Sequence, residues 1–379
     1  VVVDLSNLPV DGEIVTPTDR ELVFYTDRSA VELDDKCGMA YWLNRKEGGK
    51  GIVPKEEPFA RLIGRETHED LHTIAKMEDI SPEALQAAID DILSPLTSED
   101  KLIRSRMEIL YRRLGWLAAF ALFIEPRIRQ EYDTIQVEDE LILDRDPLWV
   151  AFTPDRVLKH KKDGRVVYRE YKTTISASQK WLHSWFFAIQ MHIGLAGIQE
   201  ELPNEKIGYG EVMGLMKGYA SAADGHLSHP YVWGWYNNKT GKWTHEYSKS
   251  RTADWEPMPV WEYPDGIVSW VMQCGEDTAR QQFPHSPPIF LNKRMLDEWV
   301  ARRTYRERIL RSVDHLCQTD LDLRALHYER RQGQCRPPFG DACPYLKACW
   351  NADVYRNPGA DSDYEPRQPH HDVELTFEA

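Results

Sequence analysis

Long hydrophobic runs are missing from this chain of 379 residues. The longest, Trp116 to Ile124, has nine residues, far short of the roughly 20 a helix needs to cross a bilayer, so no membrane span is expected. No N-terminal stretch has the charged, apolar and small-residue order of a secretory signal, and a cytoplasmic protein is expected. No G-x4-G-K-[ST] phosphate loop occurs, which excludes a P-loop helicase. A basic excess is missing as well: 47 Lys and Arg face 61 Asp and Glu, for a net charge of -14, whereas proteins that coat nucleic acid nonspecifically usually carry the opposite sign. Only six cysteines are present, and no two form the closely spaced knuckle usual in zinc sites. No internal repeat is visible.

What is present suffices for a sizeable core, with 42% hydrophobic residues. The first third reads as helical. Residues 60–78 carry Leu62, Ile63, His68, Leu71 and Ile74 at helical spacing. Ser81-Pro82-Glu83 supplies a cap and a first-turn proline for a helix bearing Leu85, Ala88, Ile89 and Ile92. A further helix is predicted over 98–124, stopped near Glu125-Pro126. Between 128 and 172 the period shifts to two, predicting antiparallel strands at 137–143, 148–152 and 165–171. A long helix over 178–199, strands near 209–216 and 230–236, and helices near 264–282 and 291–317 complete the reading.

The expected class is therefore α/β, with a mixed sheet. The expected division is a helical N-terminal region (1–125), a sheet-bearing core (126–260), a helical and cysteine-bearing segment (261–350) and a tail (351–379). In the last 29 residues seven acids face two arginines, and Pro358, Pro366 and Pro369 interrupt the chain, which predicts disorder. Positive charge gathers at Lys159, Lys161 and Lys162 and at Arg302, Arg303, Arg306, Arg308 and Arg311. Such runs are usually solvated faces.

Pro154-Asp155 is followed, after fourteen residues, by Glu170-Tyr171-Lys172. A hairpin turn of four residues, Lys161 to Gly164, sets Asp155 opposite Glu170; a turn of only Asp163-Gly164 sets it opposite Lys172. Either register puts Asp155, Glu170 and Lys172 on one face, whereas a three-residue turn would send Asp155 to the other. Two carboxylates and a lysine on one face can hold a divalent cation and stabilise a developing phosphorane charge. The same spacing also occurs in ordinary exposed hairpins. Upstream, Gly64-Arg65-Glu66-Thr67-His68 places a histidine on the predicted amphipathic helix; downstream, Gln190 lies in an aromatic-rich helix with Trp181, Trp185, Phe186 and Phe187.

In this order the chain resembles the RecB-like branch of the PD-(D/E)XK nucleases, whose members carry a G-x3-H helix, a P-D step, D/E-x-K and a glutamine helix. The resemblance implies a restriction-endonuclease-like core with helical additions. It implies that His68, Asp155, Glu170 and the Tyr171 carbonyl hold Mg²⁺ or Mn²⁺, that Lys172 assists water activation, and that Gln190 positions Lys172 or DNA. Glu138 matches an additional family acid. Members often carry tyrosine four residues after the glutamine; here that position is Gly194.

Cys335, Cys343 and Cys349 form C-x7-C-x5-C. Three ligands imply a fourth, and Cys37 is the best candidate, because Cys274 and Cys317 fall in predicted helices as ordinary buried residues would. Without a knuckle, four thiolates suit an iron-sulfur cluster better than structural zinc, and no metal at all is the remaining alternative. Here the chain resembles the iron-sulfur members of the same branch, including AddB-type recombination nucleases and CRISPR-associated or phage-encoded exonucleases. Those proteins place one cysteine before the nuclease motifs and three after. The resemblance implies a 4Fe-4S staple joining the N- and C-terminal parts.

The function expected is a metal-dependent DNA nuclease, an exonuclease acting on DNA ends or single strands, with a helicase, recombinase or integrase as partner. The competing classes are a non-catalytic DNA-binding or assembly subunit of a recombination, phage or CRISPR adaptation complex, and a zinc-stapled interaction protein. Arg302 to Arg311 are candidate phosphate contacts, and Trp181, Trp185, Phe186 and Phe187 are either base-stacking residues or the packing face of their helix.

Overall fold

A computed structural model describes residues 24–46, 50–55, 59–81, 83–84, 87–88, 91, 113, 116–117, 119–174, 178–216, 231–237, 242–243, 257–262, 267–273, 283–335 and 343–368. Strand β1 (Phe24–Asp27) runs directly into helix α1 (Arg28–Lys36), where the Asp27 carboxylate caps the first turn by accepting from the Ala30 amide at 2.8 Å. Helix α2 (Gly38–Arg45), strand β2 (Ile52–Pro54) and helix α3 (Phe59–Lys76) follow, the last agreeing with the predicted helix. Ser81 Oγ accepts from the Ala84 amide at 3.3 Å, as expected of a cap. Leu85, Ile89, Ile92 and most of the predicted 98–124 helix lie outside the described residues.

The helical path does not stop at Glu125-Pro126. A π-turn over Phe120–Ile124 leads straight into helix α4 (Glu125–Glu131). The Glu125 amide reaches back to the Phe120 carbonyl, and this widened turn leaves room for the Pro126 ring, whose missing N–H falls in the first turn of α4.

Strands β3 (Tyr132–Gln136), β4 (Leu141–Arg145), β5 (Leu148–Phe152), β6 (Arg156–His160) and β7 (Val166–Thr174) come next. The predicted strand at 137–143 begins only at Leu141. Glu138 turns the chain with φ at +54° while its amide donates to the Pro154 carbonyl at 3.2 Å. The predicted 178–199 helix is broken into α5 (Gln179–Ser184), a 3-10 turn (Trp185–Phe187) and α6 (Ile189–Glu201). The break falls at the extended Ala188. Most of α6 is buried, whereas in α5 only Leu182 is.

Strands β8 (Ile207–Met216), β9 (Tyr231–Asn237), β10 (Lys242–Trp243), β11 (Pro257–Glu262) and β12 (Ile267–Gln273) precede helix α7 (Lys293–Cys317). The expectation of a helix over 264–282 is overturned at Ile267–Gln273, where β12 is a central strand between β9 and β11, and the rest of that span lies outside the described residues. Its run Ile267-Val268-Ser269-Trp270-Val271 is rich in β-branched and aromatic residues, which favour a pleated surface.

The protein is a mixed α/β structure with mixed sheets. One sheet has the order β3-β6-β7-β8, antiparallel except for the parallel β7–β8 pair. A second, β1-β5-β4, pairs β1 parallel to β5. A core formed by Phe152, Val157, Tyr168, Met191, Leu195 and Trp299, among others, joins both sheets to α6 and α7. A separate core gathers Tyr41, Trp42, Leu310, Tyr345, Cys349 and Tyr364. Among the described residues no helix is long and apolar enough to cross a membrane.

The expected disorder of the tail is corrected as far as residue 368. Strand β13 (Tyr364–Pro366) pairs antiparallel with β2, and buried Tyr364 stacks on Tyr345 with centroids 6.2 Å apart. Lys347 binds Asp361 and Asp363 at 2.8 and 2.7 Å. Composition signalled disorder, but this lysine offsets local acid and the tyrosine supplies apolar burial. Residues 369–379 lie outside the described residues.

Candidate metal centre and cysteine pocket

The β6–β7 hairpin adopts the register of the four-residue turn: Arg156 pairs with Arg169 and Lys159 with Val166, so Asp155 falls opposite Glu170. Gly164 allows this turn, with φ at +69°. Two buried ion pairs hold the hairpin from behind. Arg156, next to Asp155, forms a fork with Glu125 of α4 at 2.6 and 2.9 Å. Arg169, next to Glu170, binds Glu211 of β8 at 2.5 and 2.7 Å.

Asp155 lies just before β6, and its Oδ2 accepts from the Tyr171 amide at 2.6 Å. Its Oδ1 is 3.3 Å from His68 Nδ1 and 3.8 Å from His72 Nε2. Burial alone would push the Asp155 carboxyl up; the His68 imidazole, Lys172 and Arg28 outweigh it and hold the group well below the usual carboxylate range. His68 stands one helical turn before His72 on α3, so both rings face the hairpin. Asp70 and Glu66, on the same helix, bind Arg113 at 2.9 and 2.5 Å.

Buried Glu170 is surrounded by donors. Arg28 contacts Oε1 at 3.0 Å and Oε2 at 3.2 Å, Lys172 Nζ lies 2.5 Å from Oε1, and the Tyr168 hydroxyl donates to Oε2. Tyr171 is buried with its ring edge-on to His68, centroids 6.4 Å apart. Asp155, His68, Glu170, Tyr171 and Lys172 are thus brought together where α3 meets the two inner strands, β6 and β7. Among the described residues, the three that offer ligand atoms within 4.8 Å of one another are His68, His72 and Asp155. Glu170 is engaged with Arg28, Lys172 and Tyr168 instead.

Glu138 lies in the turn before β4, not in a strand, and its Oε1 is 2.5 Å from His72 Nδ1. Both His72 nitrogens are buried without a well-aligned hydrogen bond. Gln190 is buried in the first turn of α6, and its Oε1 has no hydrogen-bond partner. Glycine at position 194, where members of the family the chain resembles often carry tyrosine, has a steric reason. A Cβ on Gly194 would stand 2.4 Å from Cε1 of Tyr168, so the ring that reaches Glu170 from β7 already fills that space.

Arg28 and His72 were not singled out from the sequence. The repeat His68-x3-His72 was a readable signal for the second; nothing local marked Arg28, which reaches Glu170 across 142 positions.

Of the aromatic residues, Trp181, Trp185 and Phe186 pack on the core, and Phe187 is exposed. The arginine run is largely engaged: Arg303 and Arg306 bind Asp34 at 2.7 and 3.2 Å, and Arg303 also binds Glu307 at 2.5 Å. Arg302 and Arg308 remain exposed.

The cysteines at 37, 335, 343 and 349 share one neighbourhood. Burial, followed by the sulfurs of Cys343 and Cys37, pushes the Cys349 thiol up to about 12, with Cys335 adding to the rise. Cys343 is raised by burial, with Cys37 and Cys335 adding to the rise. Among the described residues no three sulfurs lie within 4.8 Å of one another, so the thiols do not close around a single ion. Cys317 is buried at the end of α7, in the same apolar core as Cys37 and Cys349, and Cys274 lies outside the described residues. No family model matches the chain, and no curated protein matches it.

Proposed function

We propose that this protein is a metal-dependent DNA nuclease with a PD-(D/E)XK core, hydrolysing phosphodiester bonds at DNA ends or in single strands. The observation that carries the reading is the meeting of His68 and Asp155, from separate elements, beside the Glu170–Lys172 pair. The order of elements supports it: helix α3, the β6–β7 hairpin, helix α6, and β8 returning parallel to β7. Mg²⁺ or Mn²⁺, when bound, lowers the pKa of a water and offsets charge on the phosphate.

The chain's own residues divide the remaining work. Asp155 stays ionised and, anchored by the Tyr171 amide, points one oxygen toward the two histidines. Lys172, steered by Glu170 and partly exposed, sets a positive charge where negative charge develops. The free Gln190 oxygen is available to a donor on substrate or water. Exposed Phe187, Arg302 and Arg308 suit base stacking and phosphate contact in an otherwise acidic protein. Cys37, Cys335, Cys343 and Cys349 hold a 4Fe-4S cluster that clips the two ends of the chain together, and a helicase, recombinase or integrase is the fitting partner.

The test is cleavage of end-labelled single- and double-stranded DNA by anaerobically purified protein with Mn²⁺, Mg²⁺ or EDTA. Metal-dependent products that vanish in Asp155→Ala, with the circular dichroism unchanged, are expected. A second reading, a DNA-binding or assembly subunit, is favoured by the double contact of Arg28 on Glu170. DNA binding without cleavage by cluster-loaded protein would establish that reading.

A further inference from the structure

The geometry points to His72 as a direct ligand of the cation held by His68 and Asp155, with Glu138 as the carboxylate that orients it, giving a site selective for Mn²⁺ or a later transition metal over Mg²⁺. This rests on reading His68 and Asp155 as metal ligands, not on the reaction the metal serves. Ligand atoms sharing one ion, at metal–ligand bonds of about 2.1 Å, stand roughly 3 to 3.5 Å apart. Asp155 Oδ1 is 3.3 Å from His68 Nδ1 and 3.8 Å from His72 Nε2. The second distance is too long for a hydrogen bond and close to the separation of two ligands on one ion.

His72 has no other use for that nitrogen. Its ring is 3% exposed, and neither nitrogen has an aligned hydrogen bond, a costly arrangement for a buried polar group. On the far side, Glu138 Oε1 lies 2.5 Å from Nδ1. A carboxylate behind the distal nitrogen fixes the imidazole tautomer, so that the other nitrogen offers its lone pair to a metal. Glu138 is held there by its left-handed turn and by the bond from its amide to Pro154, next to Asp155 in sequence.

Donor chemistry sets the selectivity. Mg²⁺ takes oxygen ligands and keeps its waters, whereas imidazoles favour the later divalent metals. Two imidazoles and one carboxylate therefore disfavour Mg²⁺ here, while Glu170, the oxygen donor that would favour it, is occupied by Arg28 and Lys172.

The experiment is titration of the full-length, cluster-loaded protein with Mn²⁺ and separately with Mg²⁺, without DNA, by calorimetry and by the Mn²⁺ electron paramagnetic resonance signal. The wild type is compared with His72→Gln and Glu138→Gln. His72→Gln should weaken Mn²⁺ binding at least tenfold and change Mg²⁺ binding less than threefold. Glu138→Gln, at a partly exposed position, should weaken Mn²⁺ binding severalfold with the thermal melt unchanged, which keeps the test open if His72→Gln misfolds. Wild-type Mn²⁺ affinity in both variants, or an equal loss for both metals, would overturn the assignment. Metal binding that depends on His72 without any DNA cleavage would sink the nuclease reading and leave this one standing.

Discussion

Glu211 shows how one side chain ties the hairpin to pH. Burial opposes its ionisation, but direct contact with Arg169 and the nearby His285 hold its carboxyl down to about 2. A depressed folded pKa contributes stability that is complete above the unfolded value, near 4.5, and is lost as pH falls toward 2. Glu211→Gln should therefore cost about 3 kcal/mol at pH 7, and its gap to wild type in urea titrations should narrow only below pH 4.5. Arg28 poses a different test, because its fork spans both Glu170 oxygens and touches the Tyr168 hydroxyl. Arg28→Ala leaves a buried carboxylate short of a partner, so the melting temperature should fall along with cleavage. Arg28→Lys should restore little of either, since an ammonium cannot fork. At this scale the placing of Asp155, Glu170 and Lys172 was readable, because the period of a hairpin sets it, whereas His68 was marked only by the order of motifs in the family the chain resembles. Arg28 was not: its role depends on a tertiary approach that no local pattern encodes.

Among the elements, α6 packs on the sheet with no clearance at two glycines. A Cβ on Gly194 meets the Tyr168 ring at 2.4 Å, and one on Gly197 meets the Phe152 ring at 2.4 Å. Alanine at either position should destabilise by about 1 to 3 kcal/mol through overpacking. The two should differ in function. Gly194→Ala displaces the ring whose hydroxyl engages Glu170, so cleavage should fall beyond what the loss of folded protein explains. Gly197→Ala presses on a core phenylalanine and should spare the rate per folded molecule. The period-two pattern located β5 and β7 well, helical spacing located α3, and the strand expected near 209–216 and the helix expected near 291–317 appear as β8 and α7. Two kinds of element were misread. The Ile267–Gln273 strand was taken for part of a helix, because short apolar runs carry no unambiguous period. The break at Ala188 has no proline or glycine beside it and is set by packing, not by local chemistry.

For the whole molecule, the β2–β13 pairing and the core that Tyr41 and Trp42 share with Tyr345, Cys349 and Tyr364 bind the first and last described segments together. With the proposed cluster in place the anaerobically purified protein should be brown, and Cys343→Ser should remove that colour and make residues 343–368 sensitive to protease while the β6–β7 hairpin stays protected. A fully coloured, resistant variant would take Cys343 out of the ligand set. That closure also sets a timetable for synthesis. Once Tyr41 and Trp42 have left the ribosome, Tyr345, Cys349 and Tyr364, which share their core, follow only after some 300 more residues, roughly 15 to 60 s at the usual rates of elongation. Throughout that interval the hairpin can fold from contiguous sequence, while the aromatic face of α2 waits uncovered. The growing chain should therefore engage chaperones around α2, and slowing translation between the codons for residues 200 and 340 should lower the soluble yield without altering the protein that survives.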